Sequence, residues 1–192
     1  MAFKTDQLIE ELINLCKNHI YEAERYQKMD LEALNWKENA DRWSILECLE
    51  HLSLYGDFYI PEIRKRIHES PYPRLNDRFS SGLLGNYFAK SMLPKKNMRK
   101  IKTFADKNPN GSDLSKENLD RFIEQQKEYM ELLQDARKVN LKKTKTSISI
   151  TNKIKLRLGD TFRFIKNHDQ RHIVQAKQVS EDYLRYEAMV KG

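Results

Sequence analysis

Four long stretches of this chain carry apolar residues at the three-and-four spacing of an α-helix, and this pattern limits the fold more than any other feature. In the first, roughly residues 4–28, Leu8, Leu12 and Leu15 recur on one face. The others run from residue 44 to before residue 71, at 115–139 and at 161–189. The 192 residues include only 6 Gly and 5 Pro, too few for an all-β fold with many tight turns. We therefore predict an all-α protein with one domain over residues 1–192.

The second helical stretch has a clear start signal. Ser44 stands three residues before Glu47, just ahead of an apolar run. In such a capping box the serine hydroxyl accepts from the amide of the third helical residue, and the glutamate carboxylate accepts from the serine amide. Pro61 lies within the same stretch, which predicts a kink near residues 53–57.

A long connection, residues 71–112, joins the second and third helical stretches. Apolar residues from Leu83 to Phe88 predict a short helix inside it. A long crossover can carry the chain to a parallel neighbour, whereas antiparallel neighbours need only short loops. Residues 144–151 are β-branched and weakly alternating, and we predict that they are extended.

Two histidines lie four residues apart in the last helical stretch. His168 and His172 share a face with Ile165 and Ala176, so both imidazoles are predicted to point into the core. Burying unpaired polar groups costs free energy, and a metal ion would satisfy both rings at once. The alternative is a pair of core histidines hydrogen-bonded to carbonyls or carboxylates. No glutamate follows His168 to make an H-E-x-x-H motif, which argues against a metalloprotease.

A third histidine, His51, lies in the middle of the second helical stretch. If that helix packs beside the last one, His51 completes a three-histidine face. Three imidazoles leave coordination positions open, as in catalytic metal sites. His19 and His68 are assigned no chemical role, and His19 is expected at the edge of the core.

Two segments resemble the signatures of a known family. Residues 43–52 read WSILECLEHL, similar to the W-S-x-x-E-x-x-x-H-L signature of the DinB-like superfamily, and residues 168–175 read HDQRHIVQ, similar to its H-x-x-R-H-x-x-Q segment. The order of helices and the long middle connection also agree. The resemblance implies a DinB-like four-helix bundle with up-down-down-up topology, usually dimeric.

The same resemblance implies a divalent metal, zinc or nickel above others, held by His51, His168 and His172. Gln175 then corresponds to a residue that supports a ligand. One position departs from the family pattern, because Tyr55 stands where relatives often have an acidic residue. That departure argues against a mechanism that needs a carboxylate base there.

Several functions are compatible with this resemblance. Some relatives are thiol-dependent S-transferases that use a low-molecular-weight thiol such as bacillithiol or mycothiol, and others are assigned as metal-dependent hydrolases. A metal-binding or ligand-binding stress-response module without turnover is the third alternative. An enzyme of either kind would act on a small-molecule substrate. The sequence has no G-x-S-x-G motif and no Gly-rich phosphate loop.

The net charge of +7 is concentrated in two basic clusters. The first comprises Lys95, Lys96, Arg99, Lys100 and Lys102. The second comprises Arg137, Lys138, Lys142, Lys143, Lys145, Lys153, Lys155 and Arg157. Such clusters attract nucleic acid, anionic membranes or anionic small molecules, but solubilising surface charge is the simpler interpretation. Nucleic-acid binding is the weakest of the hypotheses, because aromatic residues are not interleaved with the basic ones.

The sequence favours a cytoplasmic location. Cys16 and Cys48 both lie within helical patterns and are expected to be reduced, buried thiols. The first residues lack the apolar run of a signal peptide, and no segment reaches the ~18 consecutive apolar residues of a membrane span. We therefore expect no membrane partner.

Overall fold

The structure, a computed structural model, describes residues 1–95 and 103–191. The helices in these ranges are α1 (Thr5–Gln27), α2 (Leu31–Asn35), α3 (Ile45–His68), α4 (Leu83–Ser91), α5 (Glu117–Asp135) and α6 (Leu158–Lys191). The strands are β1 (Ala2–Lys4), β2 (Arg78–Ser80), β3 (Lys145–Ile148) and β4 (Thr151–Arg157). Single 3-10 turns occupy residues 105–107 and 136–138. The predicted mostly helical fold is confirmed.

The four long helices form a ring in which α1 and α3 each pack against α5 and α6. The last residue of α1, Gln27, bonds to Asp120 near the start of α5. Glu10, near the other end of α1, pairs with Arg137 just after α5. The two helices therefore run in opposite directions.

Contacts of α3 give its direction relative to α5. Glu50 pairs with Arg121 near the start of α5, and Arg64 pairs with Glu128 further along it. The two helices therefore run in the same direction, as a long crossover permits.

The contacts between α3 and α6 show that these two helices run in opposite directions. His51 of α3 contacts His168 of α6. Tyr59, two turns after His51 on α3, contacts Phe164, one turn before His168 on α6. These helices are antiparallel. The up-down-down-up order stays a prediction, and the contact directions support it.

The start of α3 follows the sequence prediction. The Ser44 hydroxyl accepts from the Glu47 amide at 3.1 Å, and the Glu47 carboxylate accepts from the Ser44 amide at 2.8 Å. This capping box is confirmed and fixes the point where α3 begins. The helix continues through Pro61 as one element, and the kink near residues 53–57 stays a prediction.

Two small antiparallel sheets accompany the predicted helical bundle in the described residues. The predicted extended segment is confirmed as β3, but its partner β4 was not predicted, and neither was the β1–β2 pair. The β1–β2 sheet lies against the bundle through Phe79, whose ring stacks on Phe3 with centroids 6.0 Å apart. The short helix in the long connection is confirmed as α4.

The first residue of α6 also differs from the prediction. The helix begins at Leu158, directly after β4, instead of near residue 161. The amides of Leu158 and Gly159 donate to the carbonyl oxygens of Thr144 and Leu141, at 2.9 and 3.2 Å. These loop carbonyls take the place of a capping side chain, so no residue type marks the boundary.

A polar layer divides the core into two apolar clusters. One cluster includes Leu12, Tyr59, Leu133 and Ile165, and the other includes Leu49, Phe122 and Ile173. The layer between them is formed by four buried side chains, His19, Gln126, Lys166 and Asp169. In the described ranges no helix is long and apolar enough to cross a membrane.

Candidate metal centre

Three histidines from two helices meet at one point of the bundle. His51 comes from α3, and His168 and His172 lie one turn apart on α6. Each offers a ring nitrogen, and the three nitrogens lie within 4.8 Å of one another. The Nε2 atoms of His51 and His168 are 3.2 Å apart. The structure thus brings together the three residues that the sequence singled out. Metal binding by them stays a prediction.

An aromatic wall surrounds the three imidazoles. The ring centroid of Trp43 lies 4.7 Å from that of His51, and that of Tyr55 lies 4.9 Å from that of His168. Phe164 stacks on His168 with centroids 6.0 Å apart and planes within 4°. The three histidines are at most 9% exposed. This wall locks the ring orientations and excludes water from most of the site.

Hydrogen bonds to carbonyl oxygens fix the tautomers of two of these rings. Nδ1–H of His51 donates to the backbone oxygen of Lys107 at 2.6 Å. Nδ1–H of His172 donates to the side-chain oxygen of Gln175 at 3.0 Å. Because a carbonyl oxygen only accepts, each Nδ1 carries the proton and each Nε2 keeps its lone pair. This is the arrangement in which histidines bind metals.

The protonation of the cluster favours a cation. Burial lowers the pKa of His51 to about 4, although the hydrogen bond to Lys107 acts in the opposite direction. Burial also lowers the pKa values of His168 and His172 well below their usual range, and the neighbouring imidazole charges and Arg171 lower them further. The rings are therefore neutral at pH 7, with lone pairs available.

Three neutral nitrogens suit zinc, nickel, copper or iron, and they leave a position for an exogenous ligand. Within the described residues, no carboxylate or cysteine belongs to this ligand group. Tyr55 lies against the cluster, and burial raises its pKa to about 12, so it is a neutral phenol at pH 7. The arrangement can hold a Lewis acid but has no carboxylate among the ligands to accept a proton.

The two cysteines are not part of this chemistry. Cys16 and Cys48 are free and buried, as predicted. Burial raises the pKa of both thiols, so both stay protonated at neutral pH. A thiolate nucleophile at this site would have to come from outside the protein.

One histidine was misplaced by the sequence reasoning. His19 is fully buried instead of lying at the edge of the core, and it contacts Gln126 at 3.4 Å and Gln170 at 3.1 Å. Burial lowers its pKa. Its spacing from Cys16 and Ala23 is that of an inward-facing residue, and this signal could have placed it correctly.

The two predicted basic clusters differ in what the structure describes. Of the first, Lys95 alone lies in the described ranges, and Lys96, Arg99, Lys100 and Lys102 lie outside them. In the second, Arg137 pairs with acidic residues of α1. Lys138 pairs with Asp135.

Comparison with known proteins agrees with the geometry. A profile of the DinB superfamily matches residues 23–176, more than three quarters of the chain, including all three histidines. Searches of curated proteins and of solved structures gave no match. The profile match and the buried three-histidine cluster support the same assignment, and the chain belongs to the DinB superfamily.

Proposed function

We propose that this protein is a metal-dependent enzyme that activates a low-molecular-weight thiol and transfers it to an electrophilic small molecule. The observation that carries the proposal is the buried cluster of His51, His168 and His172, with ring nitrogens within 4.8 Å of one another. The three histidines are the proposed ligands, and zinc or nickel is the proposed ion.

The residues present fit such an ion. His51 and His172 donate from Nδ1 to carbonyl oxygens, which leaves Nε2 of each as a ligand atom. A divalent cation held there supplies Lewis acidity, which lowers the pKa of a thiol or water at an open coordination position. Trp43 and Tyr55 shield the rings and hold their orientation.

The composition of the site favours a thiol over water as the nucleophile. A free thiol has a pKa of about 8.5, so a small decrease generates the thiolate at neutral pH without a protein base. Free water has a pKa near 15.7, so a bound cation must lower the pKa of water much further than that of a thiol before a nucleophile forms at neutral pH. Tyr55 occupies the position one turn after His51 where relatives often have an acidic residue, and the described ligand group contains no carboxylate.

The proposal also covers the cellular location, the oligomeric state and the domain content of the protein. We place the enzyme in the cytoplasm, because both cysteines are free and buried. A homodimer and a single domain over the whole chain are proposed from the layout that the family resemblance implies.

Elemental analysis of the purified protein tests the metal site. We expect one divalent ion per chain in the wild type and its loss in His51→Ala, His168→Ala and His172→Ala. His68→Ala is the matched control, because His68 is exposed on the same helix as His51 and should leave the metal content unchanged. A wild-type protein that takes up none of zinc, nickel, copper and iron would refute the site.

A turnover assay tests the reaction on the metal-loaded protein. Bacillithiol and an activated aromatic halide are mixed with the enzyme. The thiol sulfur bonds to the ring carbon, the carbon–halogen bond breaks, halide and the thiol proton are released, and the thioether product is measured by mass spectrometry. We expect product formation that requires the thiol and is lost in His51→Ala. Ester hydrolysis without any thiol would instead identify a hydrolase. Metal binding without turnover across a set of thiols and electrophiles would indicate a binding module.

A further inference from the structure

A basic cleft lies at the end of the molecule where β4 meets α6. Its volume is about 470 Å³. The residues that line it are Tyr72, Lys142, Lys143, Lys145 and Arg157. Its four cations belong to the second basic cluster of the sequence, and the proposed metal-dependent reaction does not use them.

Local structure brings the four cations together. The amides of Lys142 and Lys143 both donate to the Asn140 side-chain oxygen at 3.1 Å, which turns the chain just before β3. The register of the β3–β4 sheet then places Lys145 directly opposite Arg157. Lys143 extends towards Tyr72, with Nζ 5.6 Å from the ring centroid.

The cleft is separate from the candidate metal centre. Arg157 is the last residue of β4, and His168 lies ten residues beyond Leu158 on α6. At 1.5 Å per residue, this separation is roughly 15 Å along the helix. A ligand in the cleft therefore need not contact the histidine cluster.

The basic residues of the cleft lack the acidic ion-pair partners that nearby basic residues have. Close by in sequence, Arg74 pairs with Asp6 and Asp77, and Lys138 pairs with Asp135. In the part of the chain that the structure describes, no ion pair neutralises the four cations of the cleft.

Two of these cations face each other across the strands. Like charges at directly opposed strand positions destabilise a sheet. The Lys145–Arg157 pair has this unfavourable arrangement, and an anion bound between the two would relieve it. Arg157 is also held in place, since its guanidinium donates to the Ser80 backbone oxygen at 2.5 Å. The cation cluster is thus partly preorganised for a ligand.

We propose that the cleft binds a small soluble molecule that carries two or more linked phosphate groups. Lysine and arginine donate charge-assisted hydrogen bonds to phosphate oxygens, and several cations in one concave site favour a ligand of high charge density. The concave shape and the volume fit a small molecule, whereas a duplex or a bilayer requires an extended surface. The exposed part of the Tyr72 ring can contact an organic portion of the ligand.

Isothermal titration calorimetry with inorganic tripolyphosphate, at an ionic strength of about 0.15 M, tests the proposal. We expect one ligand per chain in the wild type. Lys145→Gln and Lys143→Gln should each weaken binding about tenfold, since each removes one charge-assisted contact. Lys17→Gln is the matched control. Lys17 is exposed on α1 and, among the described residues, has no ion pair, so its loss should change the affinity less than about twofold.

Melting temperatures measured with and without tripolyphosphate separate a loss of binding from a folding defect, because each variant is compared with itself. Tripolyphosphate should raise the melting temperature of the wild type and of His51→Ala, but not that of Lys145→Gln. Equal weakening by Lys17→Gln and Lys145→Gln would overturn the proposal, because it would indicate a response to net charge alone. Binding to phosphatidylserine vesicles or to duplex DNA without binding to tripolyphosphate would also overturn it.

Discussion

The buried lysine of the polar layer gives the sharpest test of how this core is held together. Lys166 is fully buried, and its Nζ lies 2.6 Å from Asp169 Oδ2 and 2.8 Å from Gln126 Oε1. The same nitrogen lies 3.7 Å from the ring centroid of Tyr129. Lys166→Met keeps most of the side-chain volume but leaves a carboxylate in the core without its cation. Breaking a buried pair in this way costs about 3–5 kcal/mol.

Equilibrium unfolding in urea measures this cost. For a chain of this length the expected loss corresponds to a fall in melting temperature of roughly 6–20 °C. The exposed pair of Lys127 and Glu124, with atoms 3.1 Å apart, provides the control, and Lys127→Met should change stability by less than about 0.5 kcal/mol. The double variant Lys166→Met/Asp169→Leu should be more stable than Lys166→Met, because no uncompensated charge remains.

Two results would refute this reasoning. A neutral Lys166→Met would mean that the carboxylate is satisfied by Gln126 and His19 without the lysine. A double variant less stable than Lys166→Met alone would mean that the apolar replacements do not fit the space, and that packing rather than charge decides the stability of the layer.

Three further predictions follow from the described contacts. The metal-free protein should lose stability as the pH falls below 6.5 towards about 4. Burial lowers the pKa values of the histidine cluster and of His19, so in this range the unfolded chain takes up protons that the folded chain does not. Each such histidine contributes about 1.4 kcal/mol per pH unit, and equal urea midpoints at pH values on either side of 6.5 would contradict this. Gly56→Ala should destabilise the protein by roughly 1–3 kcal/mol although alanine has the better helix propensity, since the new Cβ would lie within 3 Å of the Gln125 side-chain amide. A rise in the melting temperature of this variant would show that the Gln125 amide moves freely. Ser44→Ala should cost about 1 kcal/mol through loss of the cap, and Ser44→Asp should restore most of it in the same assay.

The helices were predictable because their signals are local. Apolar spacing located the four long helices, and the Ser44–Glu47 pair located the start of α3. The boundary of α6 was not predictable in the same way, since carbonyl oxygens of Thr144 and Leu141 occupy the amides that a cap would satisfy. β4 was missed because Thr151–Arg157 is strongly charged, and its extended form depends on pairing with β3.

The candidate site also combines features that local sequence predicts with features that depend on tertiary contacts. The spacing of His168 and His172 is a helix property and indicated a shared face directly. The contribution of His51 depends on which helices are neighbours, so the sequence could state it only as a condition and through the family resemblance. The acceptor for His51 Nδ1 is the backbone oxygen of Lys107, 56 residues away in sequence, and no residue type reveals such a partner.

That backbone acceptor has an evolutionary consequence. Every amino acid at position 107 would present the same oxygen, so replacing Lys107 does not remove the group that orients His51. Substitutions in the loop at 103–111 can therefore change the charge and shape beside the histidines while His51 keeps its tautomer. Insertions and deletions are different, because they would shift the carbonyl itself. In this loop we therefore expect selection to preserve the length and the backbone path more strictly than the amino-acid composition.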